Sequence, residues 1–130
     1  MSGSDGLTPP GPDVMVDRAR LAELHDLGPL ADGATMLVLL ADDATGRGRQ
    51  IAAAADAGDV ETAWRTAHAL KGLAATLGAV TLTEAAEVLV RDGREGRMAD
   101  ATALRDLQQV LAATVDVVRS YSAGRGTPSP

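Results

Sequence analysis

Cysteine and phenylalanine are absent from the 130 residues, and tryptophan and tyrosine occur once each. Without cysteine there is neither a disulfide framework nor a thiolate metal site. The scarcity of aromatics, with no alternation of β-branched and polar residues, argues against strands. No apolar run approaches the roughly 20 residues that cross a bilayer, and MSGSDGLTPPGPD has neither the basic start nor the apolar stretch of a signal peptide. A cytoplasmic protein with no membrane attachment is the expectation. Basic residues are in deficit: the formal charge is −6, and no Lys/Arg cluster could neutralise a row of nucleic-acid phosphates. Neither a G-x-x-x-x-G-K-[ST] phosphate loop nor a kinase-type glycine-rich loop is present, which leaves the chain without an ATP site.

What remains is alanine, leucine and valine at helical spacing, enough for one modest core. Residues 1–15 and 123–130 are rich in Gly, Ser and Pro and read as flexible tails around one domain over 16–122. A short helix is predicted from Asp17 to Asp26, with Leu21 and Leu24 on one side and Gly28-Pro29 stopping it. The next runs from Ala34 to Ala57 with Leu37, Leu40, Ala44, Ile51 and Ala55 inward and a soft point near Gly46. Gly58 closes it and Asp59 caps a helix that runs to Leu77, where Gly78 ends it. Thr81 with Glu84 fits a capping box for a further helix carrying Leu82, Ala85, Ala86 and Leu89, with Gly93 after it and RDGREGRM as a loop. Asp100 caps the last helix, to Tyr121, with Leu104, Leu107, Leu111, Val115 and Val118 inward. The fold class is all-α, an antiparallel four-helix bundle with a short extra N-terminal helix.

The stretch Ala67–Ala79, AHALKGLAATLGA, carries the chemistry. At about 100° per residue, Val60, Ala63, Ala67, Leu70, Ala74 and Leu77 share one sector of the helix, with Leu73 at its edge. His68 points away from that sector by roughly 150°. Around it lie Glu61, Trp64, Arg65, Lys71, Gly72 and Ala75. A glycine inside a helix costs about 1 kcal/mol against alanine, and access explains Gly72: with Ala75 it leaves the imidazole above a low surface. Imidazole ordinarily titrates near 6.5, so its neutral form is a competent nucleophile. Phosphoryl transfer asks of a protein mostly positioning and a nearby cation. Lys71, one turn on, supplies one, with Arg65 on the other flank.

The order H-x-x-K-G-x-x-x-x-x-G-A over His68–Ala79 resembles the signature of histidine-containing phosphotransfer (HPt) domains of phosphorelays. The chain departs from the family pattern in having Leu73 where a small polar residue is common, and in lacking phenylalanines in the preceding helix. The resemblance implies an HPt-like bundle with His68 as phosphoacceptor and Lys71 stabilising phosphoryl charge. It also implies a phosphocarrier, not an enzyme. The partners implied are receiver domains of response regulators or hybrid histidine kinases, which would bring the Mg²⁺; the chain itself needs no cofactor and no metal, and is expected to be a monomer. Gly72, Ala75, Trp64 and Arg65 are candidate partner contacts, and Gly78 is a structural part of the motif. Trp64 fits a filler between two helices equally well. His25 reads as incidental, and Arg91, Arg94 and Arg97 as a solvated run. A di-iron bundle would use Glu-x-x-His pairs, of which the chain has none. Two other readings remain, a helical adaptor without phosphoryl chemistry and the N-terminal phosphoacceptor module of a chemotaxis-type kinase.

Overall fold

The computed structural model describes residues 13–26 and 33–125. Among these residues five helices follow in order: α1 (Arg18–His25), α2 (Gly33–Ala57), α3 (Val60–Thr76), α4 (Val80–Arg94) and α5 (Ala101–Arg125). The four longer ones form a ring in which each packs mainly against the two beside it, and α1 lies across α2 and α5. Short connections make neighbours antiparallel. Leu21, Leu37, Ile51, Leu70, Leu77, Leu82, Val90, Leu107 and Val118 fill the interior, while alanines at the seams let the backbones approach.

Chain punctuation follows local chemistry. Asp17 accepts from the amides of Ala19 and Arg20 to cap α1, Asp59 from that of Thr62 to cap α3, and Asp100 from that of Ala103 to cap α5. Each satisfies amides that the first helical turn leaves without a partner. At the end of α3, Gly78 adopts φ 71°; its amide donates to Ala75 O at 3.1 Å and that of Ala79 to Ala74 O at 2.9 Å. This is a Schellman closure, which needs a residue at ease in the left-handed region.

Several elements differ from the sequence expectation. Helix α2 runs unbroken through Gly46, and its buried face uses Ala41, Gly48 and Ala54, with Leu40 and Ala55 only half-buried. Gly48 is small because α5 crosses there; a Cβ would land on Leu111, and Gln108 Nε2 donates to Gly48 O at 2.9 Å. The Thr81–Glu84 capping box also fails. Helix α4 starts at Val80 after Ala79, with no side-chain cap. Its cap is another strand of backbone: Val80 N donates to Met15 O at 2.9 Å, Asp17 N to Gly78 O at 2.8 Å, and Val16 and Ala79 form an isolated antiparallel bridge. Thr81 Oγ1 accepts from Met15 N at 2.8 Å instead of closing its own helix.

Gly93 lies inside α4, not after it, so the loop is shorter than RDGREGRM and begins after Arg94. Helix α5 runs to Arg125, past Tyr121 and into the stretch read as a tail; Ser122 Oγ donates to Ala34 O at 3.0 Å. Met15, assigned to the other tail, is likewise held at the start of α4. The stop at Gly28-Pro29 falls outside the described residues. Among the described residues no helix is long and apolar enough to cross a membrane.

Candidate phosphoacceptor site

Helix α3 buries Ala63, Ala67, Leu70 and Ala74, and this apolar stripe turns His68 to the outside, where it is exposed. Val60 and Leu73 sit half-buried at the edges of the stripe. One turn beyond the imidazole the surface is bare: a Cβ on Gly72 would meet nothing within 4 Å, and Ala75 beyond it is exposed. Gly78 stands apart from this surface and does structural work. A Cβ there would come within 2.9 Å of the Cβ atoms of both Asp17 and Arg20, and Arg20 Nε donates to Thr76 O at 2.9 Å.

The flanking cations are not bare. Lys71 Nζ donates to Glu87 Oε1 of α4 at 2.6 Å, with both side chains about a third exposed (35% and 32%). The hydrogen bond from Lys71 holds the Glu87 carboxyl below its usual range against a smaller desolvation effect, with help from the charges of Lys71, Arg91 and Arg94. Arg65 pairs with Glu61 one turn back and lies with its guanidinium 5.0 Å from the Trp64 ring centroid. Arg94 of α4 lies 5.8 Å from the same ring. Trp64 is half-buried over Gly93, whose missing side chain makes the room; a Cβ there would fall on the indole. Trp64 thus packs in the α3–α4 seam.

His25 is remote from this face. Its Nδ1 lies 3.2 Å from Asp26 Oδ1, and its ring meets Tyr121 edge-on with centroids 6.5 Å apart. In the arginine run, Arg91 and Arg94 are helical, and Arg97 pairs with Asp92 at 2.9 Å and with Glu95. Among the described residues no three His, Asp or Glu converge as a metal set.

Sequence reasoning groups His68, Lys71, Gly72, Ala75, Trp64 and Arg65; all are on α3, where His68, Arg65, Gly72 and Ala75 are exposed and Lys71 and Trp64 are half-buried against α4. It missed Glu87, Arg94 and Gly93, all on α4. The Leu82, Ala86 and Leu89 stripe does place Glu87 on a flank of its helix, but whether that flank meets α3 or α5 depends on how the helices are arranged around the ring.

An antiparallel helical bundle presenting one exposed histidine from its third helix, with Lys-Gly one turn on, defines a class of phosphotransfer module. A family model described as Hpt domain matches residues 35–120, and the chain belongs to that family. The membership places it among phosphotransfer carriers of two-component signalling, whose partners are receiver domains. The crystal structure of histidine-containing phosphotransfer protein B (HptB) from Pseudomonas aeruginosa PAO1 has the same fold, with a TM-score of 0.75 at 24% identity. The match covers 90% of this chain and 98% of that one. No curated protein matches the chain.

Proposed function

We propose that His68 accepts a phosphoryl group from a phospho-aspartate of a receiver domain, or from a kinase, and passes it to another receiver domain. One observation carries the reading: the imidazole is exposed beside a patch of helix with no side chain above it at Gly72. In the transfer a ring nitrogen of His68 forms an N–P bond as the aspartyl P–O bond breaks, and the carboxylate leaves with the electron pair. The loose transition state spreads charge over three equatorial oxygens, and in this reading the Lys71 ammonium, three residues on from His68, supplies the cation that meets it. Mg²⁺ belongs to the receiver in this reading. Gly72 and Ala75 form the contact floor, with Arg65 and the exposed edge of Trp64 at its margin.

The test is phosphorylation by a labelled receiver or kinase followed by acid and base treatment. Acid-labile, base-stable label is expected on the wild type and on His25→Gln, and none on His68→Gln. Label persisting on His68→Gln sinks the assignment, and a wild type that binds receivers without taking label leaves the adaptor reading.

A further inference from the structure

Glu87 has no part in the transfer as described, yet it is the group that holds the one cation the transfer uses. It sits on α4, a different helix from the histidine, and its Oε1 is 2.6 Å from Lys71 Nζ. The pair is neither buried nor fully solvated, so its electrostatics are damped less than those of a free surface pair. Of the other charges acting on Glu87, Arg91 and Arg94 come from its own helix and Lys71 from α3.

We infer that Glu87 is a positioning residue that keeps the Lys71 ammonium turned toward α4 while His68 is unmodified and competes with the phosphoryl group for that ammonium once His68 carries it. The inference deepens the reading of His68 as phosphoacceptor and rests on it. An ammonium has three N–H donors, so Lys71 can bond a phosphoryl oxygen without releasing Glu87. The cost is that a carboxylate then stands near a group carrying between one and two negative charges. Like charges at such spacing disfavour the doubly charged form. Glu87 thereby holds the phosphorylated state at higher free energy than Lys71 alone would set, and makes the chain a readier donor. Arg91 and Arg94, farther along α4, offset part of this by favouring the charged Glu87 carboxylate.

The experiment uses phosphoramidate as donor, so no receiver contact enters: a ring nitrogen of His68 forms the N–P bond, the donor's P–N bond breaks, and ammonia leaves with the imidazole proton. Wild type, Glu87→Gln, Glu87→Asp, Lys71→Ala and the Lys71→Ala/Glu87→Gln double variant are phosphorylated, and the ³¹P resonance of the phosphohistidine is followed through a pH titration. The expected result is a lower phosphoryl ionisation midpoint in Glu87→Gln, a higher one in Lys71→Ala, and a value near wild type in Glu87→Asp. The Glu87→Gln shift is expected to be larger with Lys71 present than in the double variant. In a phosphoryl-exchange equilibrium against phosphoramidate, Glu87→Gln is expected to retain about three- to tenfold more label. Label on His68 with the same midpoint in wild type and Glu87→Gln overturns this inference alone. Absence of label from wild-type His68 overturns it together with the proposed function.

Discussion

Gly72 inside α3 and Gly78 just past its end, six positions on, are glycines for opposite reasons. Gly78 has the left-handed backbone and two side chains of α1 against it; Gly72 has helical backbone and open space. Replacing Gly72 by alanine therefore removes unfolded-state freedom at no steric cost, and urea denaturation should show a gain of up to about 1 kcal/mol. A larger side chain, as in Gly72→Gln, should keep much of that gain and weaken receiver binding and transfer, because it would stand beside His68 at the contact. Unchanged transfer by Gly72→Gln would show that the bare surface does not serve access. The direction of His68 and Gly72 was legible in the sequence because it depends only on the pitch of one helix and its apolar stripe. The partner of Lys71 was not, because it depends on how another helix is rotated.

Between elements, the α3–α4 seam and the middle of α2 give the same substitution opposite signs. Alanine at Gly93 would drive a Cβ into Trp64, and overpacking of this kind costs about 1–3 kcal/mol. Alanine at Gly46 meets nothing within 4 Å and should stabilise by up to about 1 kcal/mol. Thermal unfolding of the two variants on one instrument checks the contrast; a stable Gly93→Ala would mean that α3 and α4 move apart at this seam without loss. The helices themselves were readable from periodicity and from Asp59 and Asp100 as caps. The start of α4 was not, since the residues that cap it come from Met15 and Val16, more than sixty positions earlier, and a local Thr/Glu pattern offered a plausible substitute. Gly93 misled for a related reason: glycine after an apolar stripe reads as a stop, whereas here it is a seat for a side chain from α3.

At the scale of the whole molecule, carboxylates held below their usual range make stability acid-sensitive. The Asp59 carboxyl is held low by its hydrogen bonds to Thr62, and the Glu87 carboxyl chiefly by the hydrogen bond from Lys71. A carboxyl lowered in the folded state contributes its stability above the unfolded value, about 4, and loses it as pH falls through the folded value. The melting temperature should therefore be flat near neutrality on this account and fall below about pH 4. Glu87→Gln should melt below wild type near neutrality and approach it in acid. A gap between the two that stays constant down to about pH 2 would show that the pair contributes nothing pH-dependent. The ring of four helices was legible from segment lengths and short connections, whereas the clasp of residues 15–17 on the α3–α4 turn was not, because nothing in those residues marks them as extended backbone with a distant partner.

That clasp fixes where the chain comes and goes. Met15 lies beside Thr81, and the end of α5 lies by the start of α2 through Ser122 and Ala34. Both routes reach the pole that holds the Gly78 turn, while the Gly58 and Gly96 turns occupy the other. His68 lies ten residues back along α3 from Gly78, about 15 Å at the helical rise. A flexible tether leaving from beside the Gly78 turn crosses that distance with roughly eight residues, and one from the end of α5 needs more because α5 stands across the ring from α3. A receiver joined to this chain at either side thus starts at the same end, and short linkers suffice to raise its effective concentration over the imidazole.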